Sequence, residues 1–325
     1  MERRKYLYGI GAAAGMLVLI LDGKTALAGA RSGIALCLMT VIPTLFPFIV
    51  LSVLLSGALL GASIPPLRPV GKILKMPAGT ESLLLCAFLG GYPSGAVAVS
   101  EAFRAGSLSK DTAERLLSFC NNAGPAFLFG MTLSLFPDAG AAWLLWGIHI
   151  LSALAVGILI PGKESSPVKL KKGGSSIGVI KNAITVMATV CAWVILFRII
   201  IAFLDRWILW LLPPEVRVAV IGVLELSNGC CSLTLVNDVR VRLILCSGML
   251  ALGGLCVTMQ TVSSVRGLKM NQYYLGKILQ FVCSILLSAA AVFHLWWVFP
   301  VFGVIVYLFT GRSKKLCGNS VPTRV

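Results

Sequence analysis

Nine apolar runs divide this chain, at about residues 7–21, 33–60, 83–99, 116–135, 141–160, 178–204, 218–236, 243–262 and 278–310, and several reach the ~20 residues needed to cross hydrocarbon. Such runs leave few architectures open. In lipid every backbone amide and carbonyl must bond within the protein, which admits helices and closed barrels, and long apolar runs without alternation read as helices. The expected fold class is all-α, a polytopic membrane protein. Composition agrees: 58% of residues are hydrophobic, 12% are charged and the mean hydropathy is +0.92, too little charge to cover a soluble surface. The last run is long enough for two short spans turning near His294, Trp296 and Trp297, whose rings suit an interface. The start, "MERRKYLYGIGAAAGMLVLILDG", has the charged head and apolar middle of a signal peptide, with the small residues of "ALAGA" beyond it. We read it as an uncleaved first span.

Four of the runs are interrupted. "LGGYPSGA" places Gly90, Gly91, Pro93 and Gly95 within six positions, and "FCNNAGPA" follows at 119–126. In the second half "LELSNGCC" and "GGLCVTMQ" do the same, and Gly95 and Gly229 lie 134 positions apart. The same offset carries 119–126 onto 253–260. Glycine and proline weaken helix interiors, and irregular backbone is tolerated at membrane depth only where protein buries it or a watery cavity solvates it. The interruptions therefore predict one central cavity between two related halves, as in transporters built from inverted repeats.

Charge supports the same plan. The net charge is +16, from 28 Lys and Arg against 12 Asp and Glu, but the basic residues fall in short clusters between apolar runs, which favours membrane topology over nucleic-acid binding. If every run crosses, 15 Lys and Arg lie inside and 12 outside, with Arg198 left within a span. If 83–99 and 218–236 instead enter and leave on one side, 21 lie inside and six outside: Lys24, Arg31, Arg206, Arg217, Arg240 and Arg242. The rule prefers two re-entrant hairpins with discontinuous helices beside them. The expected organisation is an N-terminal transmembrane segment (1–32), a first repeat with its hairpin (33–160), a basic cytoplasmic linker (161–177), a second inverted repeat with its hairpin (178–265), and C-terminal helices with a basic tail (266–325).

Candidate site residues follow from the interruptions. In the first hairpin Gly91, Tyr92, Pro93, Ser94 and Gly95 combine close backbone approach with a helix start whose free N–H groups suit a carboxylate or phosphate, against the plainer alternative of small-residue packing. Asn121 and Asn122, with Gly124 and Pro125, offer amides beside a carbonyl freed by proline, either to a solute or to the kink itself. Glu225 is the single acidic residue between Glu215 and Asp238, in the middle of an apolar run, where an ionised carboxylate is expensive. A proton carrier, a Na+ ligand and a partner for a buried Arg are all open to it. Ser227, Asn228 and Gly229 lie beside it, and Thr258 and Gln260 supply the matching patch. Arg198, in "ILFRIIIAF", reads either as a cavity cation meeting an anion or Glu225, or as a side chain snorkelling near its helix end. "SLSKDTAERLL" reads as an amphipathic surface helix with Asp111 and Glu114 at capping-box spacing. His149 and His294 are isolated and suit packing or an interface. The ten cysteines show no CxxC pairing, so no metal site, cofactor or disulfide framework is expected; coupling to H+ or Na+ stays open.

"VIPTLFPFIVLSVLLSG", "GGYPSGA", "FCNNAGPAFLFG" and "GGLCVTMQ" together resemble the YlbJ-type sporulation integral membrane proteins, within the wider group carrying the Gate, or nucleoside-recognition, domain. The resemblance runs from about residue 34 to about residue 275. It implies a plan like that of concentrative nucleoside transporters and a role in sporulation, moving dipicolinic acid from mother cell toward forespore across the outer forespore membrane. The implied partners are a small organic anion and the lipid bilayer, with no nucleic acid, and a homo-oligomer is compatible with the plan. Other readings are a nucleoside or other small-solute transporter, an intramembrane hydrolase using Ser94, and a non-transporting assembly factor of the spore envelope. The hydrolase needs a general base that no interrupted motif supplies, so a non-enzyme is expected.

Overall fold

The computed structural model describes residues 2–138, 140–160, 162, 176–304, 306 and 308. Apart from residues 162, 176 and 177, the basic linker lies outside the described residues, as does the basic tail beyond 308. Among the described residues there are fifteen α-helices and no strand. Five helical stretches are long and apolar enough to cross a membrane: Gly23–Ser52, Gly140–Leu159, Ile180–Trp207, Val239–Ser264 and Asn271–Val292. The chain is an all-α polytopic membrane protein.

Helix α1 (Glu2–Leu21) is followed at once by α2 (Gly23–Leu36), which runs through a short π-helical segment (Cys37–Val41) into α3 (Ile42–Leu59). The stretch bearing Lys24 and Arg31, taken with the outer connections, is helical and continuous with the apolar helix that follows it. The reason is packing. Gly29 and Gly33, one turn apart, lie against α10 (Ser176–Trp207), where a Cβ would stand 2.9 Å from the backbone of Ile199 and Ile195 respectively. Small residues at this spacing let two membrane helices approach closely.

After a short α4 (Arg68–Ile73) come α5 (Glu81–Leu89) and α6 (Ser94–Arg104). At 1.5 Å per residue their nine and eleven residues are about 13 and 16 Å long. Each is roughly half the ~30 Å hydrocarbon thickness. They fold back on one another, so that a Cβ on Gly95 would lie 3.2 Å from the Cα of Ala87 across the turn. Next come α7 (Lys110–Leu117), an irregular stretch, α8 (Pro125–Thr132) and the long α9 (Gly140–Leu159). The second half repeats this order. Helices α11 (Pro214–Leu224) and α12 (Leu226–Ser232) double back where Gly229 meets Gly222. The pair α13 (Val239–Leu252) and α14 (Gly254–Ser264) is broken between its members, and α15 (Asn271–Val292) closes the set. Shifting α5 or α9 by 134 positions places it on α11 or α15 to within a few residues. After α15 the chain turns at His294, whose φ is +56°, and helix resumes over 298–304. That is the turn expected within 278–310.

Among the described residues the two largest of four buried apolar clusters hold most of the bundle together. One includes Val41, Leu45, Phe127, Val190, Leu226 and Val257 and so joins both halves. The other includes Leu74, Leu83, Leu116, Phe119 and Tyr273 and seats the first hairpin.

Helix α7 differs from its surface reading. Its N-cap is Ser109, whose hydroxyl accepts from the Thr112 amide, and not Asp111. Arg115 is buried and donates to the carbonyls of Leu74, Gly157 and Ile160, while Glu114 accepts from the Lys269 amide. An amphipathic pattern marks one buried face, and here that face carries an arginine because three carbonyls satisfy its fork.

Candidate functional site

The first hairpin turns because Gly91 takes a left-handed conformation, φ +74°, and Pro93 has no amide to continue a helix. The Tyr92–Pro93 bond is cis. Ser94 is buried, its hydroxyl donating to the Gly90 carbonyl, 3.1 Å, and its amide to Gly91, 2.8 Å. Gly95 is a packing residue: a Cβ there would collide with the Cys120 carbonyl oxygen.

The stretch before α8 passes directly behind this turn, since a Cβ on Gly124 would lie 2.9 Å from the backbone of Gly91. Asn121 donates to the Thr261 hydroxyl, 2.9 Å, and Asn122 to the Phe119 carbonyl, 2.7 Å, while the Asn122 side-chain oxygen accepts from Gln280, 2.9 Å. Pro125 opens α8 at its first position, where a missing amide is harmless. His149 accepts from the freed Ala123 amide, 3.0 Å, which is a structural role.

In the second half Glu225, 2% exposed, stands alone between α11 and α12 in extended conformation. Its carboxylate accepts from the amides of Ser227, 3.0 Å, and Asn228, 2.7 Å, and from the Asn228 side chain, 2.6 Å. It therefore caps the helix that follows. Arg198 does not meet it. The α13–α14 break is made by Gly253 and Gly254, with φ of +74° and +78°; Thr258 then bonds back to the Gly254 carbonyl, 3.0 Å, and Gln260 to the Cys256 sulfur, 3.2 Å.

All four interruptions meet at one cavity of about 30 Å³, lined by Tyr92 of the first, Gly124 of the second, Glu225 and Ser227 of the third, and Gln260 of the fourth, with Val41 and Val190 among its apolar walls. Its volume suits about one water molecule. Gly91, Pro93, Ser94 and Gly95 shape the turn behind it, and Asn121 and Asn122 belong to a buried hydrogen-bond network beside it. A second cavity, about 250 Å³, is lined by Ser32, Arg198, Asp205, Arg217, Asn228 and Ser232. Arg198 donates to Ser32, 3.0 Å, and Arg217 pairs with Asp205 at 2.9 Å. Because Asn228 lines this larger cavity and bonds Glu225 of the smaller one, that pair forms part of the wall between them. Among the described residues no cluster of His, Cys, Asp or Glu is arranged to hold a metal ion.

One central residue escaped the sequence reading. Lys277, counted with an inner loop, is 3% exposed within α15 and donates to Asn121 O (2.6 Å), Tyr92 Oη (2.9 Å), Gln280 Oε1 (2.9 Å) and Ala251 O (3.3 Å). Arg198 is thus not the sole basic residue inside a span. The available signal was Gln280, one helical turn on in an otherwise apolar stretch, so that two polar side chains share a face.

No protein-family model matches the chain, and no solved structure matches it. Over 151 residues it is 32% identical to the sporulation integral membrane protein YlbJ of Bacillus subtilis (strain 168). The matched segment covers 44% of this chain and 36% of that relative, so the chain aligns with little more than a third of the relative's length. Taken with the membrane fold, this similarity supports a YlbJ-type assignment for the chain.

Proposed function

We propose that the chain is a membrane transporter of a small organic anion, and that in sporulating cells it moves dipicolinic acid from mother cell toward forespore in the outer forespore membrane. The observation that carries the reading is the convergence of four helix interruptions, two from each half, on one cavity. A bundle held together by packing alone has no need to break four helices at one place. In this reading residues 33–160 and 178–265 are repeats of opposite orientation, the 161–177 linker is cytoplasmic, and the 250 Å³ cavity with Arg198 and Arg217 is the approach for an anion. The central cavity, at about 30 Å³, is smaller than any aromatic dianion, so in this reading it widens by movement of a hairpin before it admits one. Ser94, donating to a carbonyl within its own turn, has no base to activate it there, which favours transport over hydrolysis.

The test is uptake into proteoliposomes of labelled dipicolinate, with a nucleoside alongside, under imposed proton and sodium gradients and under none. Saturable dipicolinate movement that Glu225→Ala or Asn228→Ala diminishes is the expected result. Nucleoside movement in its place would reassign the substrate, and movement of neither, by accumulation or equilibration, would overturn the proposal.

A further inference from the structure

An ammonium group in the middle of a membrane bundle normally sits beside a carboxylate, because an unpaired buried charge is expensive. Lys277 has none: the salt bridges among the described residues join Lys110 to Glu114, Arg206 to Asp22 and Arg217 to Asp205. Its nitrogen lies instead within 3.3 Å of four neutral oxygens, those of Asn121, Tyr92, Gln280 and Ala251, and 4.8 Å from the centre of the Tyr92 ring. Two of the four are backbone carbonyls at helix interruptions. Asn121 lies in the stretch between α7 and α8, and Ala251 is in the last turn of α13, where Gly253 and Gly254 stop the ladder and leave carbonyls without helical partners. Carbonyls at such an end carry the negative pole of the helix.

Unwound carbonyls and helix C-termini at a midplane break are the donor set with which broken helices coordinate a monovalent cation. We infer that Lys277 is a tethered cation filling an internal monovalent-cation site, so that the protein clamps its first hairpin to the α13–α14 break without a bound alkali ion. Geometry also separates this role from anion binding. An ammonium has three N–H donors and four acceptors already compete for them, so no donor is left for a substrate carboxylate while the first hairpin keeps its place. Within the proposed transport cycle Lys277 would stand where a coupling ion stands elsewhere, but the site itself does not depend on transport.

The experiment is thermal unfolding of the purified full-length protein in detergent, with sodium, lithium, potassium or methylammonium chloride compared with choline chloride at equal ionic strength. The expected wild-type melting temperature is the same in all five salts. Lys277→Ala removes the ammonium and leaves the oxygens; it should melt lower in choline and regain much of the loss, saturably, in sodium or methylammonium. Lys277→Met, which fills the space without charge, should show no such recovery. A saturable sodium- or lithium-dependent rise in wild type overturns the inference, as does Lys277→Ala that is folded and indifferent to every cation. Should Lys277→Ala yield no folded protein, the wild-type comparison decides. No transported solute enters the measurement, so its failure is distinct from failure of the transport proposal.

Discussion

The two hairpin tips occupy matching places in the two halves and are fastened in opposite ways. The first is tied across the molecule: Tyr92 donates to the Leu250 carbonyl at 3.0 Å and accepts from Lys277, both in the other half. The second is tied to itself: Glu225 accepts from Ser227 and Asn228, and Ser232 bonds back to Asn228. Among the described residues, the side-chain bonds of Glu225, Asn228 and Ser232 stay within that hairpin, and the Cys230 thiol alone of these neighbours reaches out, to Cys246 of α13. The first tip is therefore rigid by tertiary contact and the second by local capping. If one hairpin moves to open the central cavity, the second can do so while keeping its capping hydrogen bonds and giving up at most a weak thiol contact, and the first cannot.

The strongest challenge to this comparison is steric. Both turns set a new methyl against backbone, but Gly95→Ala overlaps the Cys120 carbonyl more deeply than Gly229→Ala overlaps Gly222, whose other close neighbour is the flexible Met249 sulfur. We expect Gly95→Ala to cost about 3 kcal/mol or more and Gly229→Ala about 1–3 kcal/mol, read as midpoints of unfolding in detergent. Equal losses would mean that the two turns are equally constrained. Next in size, Tyr92→Phe removes one oxygen from Lys277 and one donor from Leu250, for a loss of about 1–3 kcal/mol. In a double-mutant cycle with Lys277→Met it should show a coupling of about 0.5–3 kcal/mol, while Glu225→Ala with Lys277→Met should be additive within about 0.5 kcal/mol. Coupling in the second cycle would tie both tips to one network and dissolve the contrast.

Sequence reading reached the hairpins because their signal is local. Glycine and proline break a helix wherever they stand, so "LGGYPSGA" and "LELSNGCC" declare their turns, and the 134-residue offset follows from counting. The clamp was beyond it because its oxygens come from positions 92, 121, 251 and 280, far apart in the chain, and three of the four are backbone carbonyls or the hydroxyl that every tyrosine carries. Lys277 stands at the edge of an apolar run, where charge counting naturally assigns a lysine to the adjoining loop. The same counting cut α2 at Lys24 and Arg31 and hid the Gly29 and Gly33 contact with α10. Arg115 was misplaced for a related reason: polarity periodicity identifies the faces of a helix, but not that three carbonyls wait on the buried one. Within the candidate site, residue type could not tell Gly95, which packs, from Gly124, which lines the cavity.

At the second tip, a cap and an ion-coupling carboxylate make different demands on Glu225. Glu225→Ala leaves two amides and the Asn228 side chain without an acceptor and should cost about 1–2 kcal/mol. Glu225→Gln keeps one acceptor oxygen and should cost about half as much, its loss being the charge-assisted part of the bonds and the remainder of the alanine loss being the cap. Comparable losses for the two variants would show that charge, more than capping, holds the tip.

The smallest effect is expected at Arg198, and it bears on the approach to the second tip. The residue is half-buried, and its guanidinium donates to the Ser32 hydroxyl in an exposed bond, with no carboxylate partner among the described salt bridges. Such a bond, open to a cavity of about 250 Å³, contributes little to folding, so Arg198→Gln should change stability by under about 1 kcal/mol. Its charge reaches further than its bond, because a cation at the mouth of a low-dielectric cavity raises the local concentration of anions and is screened by salt. Arg198→Gln should therefore slow anion uptake at low ionic strength and converge with wild type as salt is raised, whereas Glu225→Ala should lower uptake at every salt concentration. An Arg198 variant whose uptake deficit persists unchanged in high salt would place that side chain in direct contact with the solute and move the binding site from between the two tips into the larger cavity.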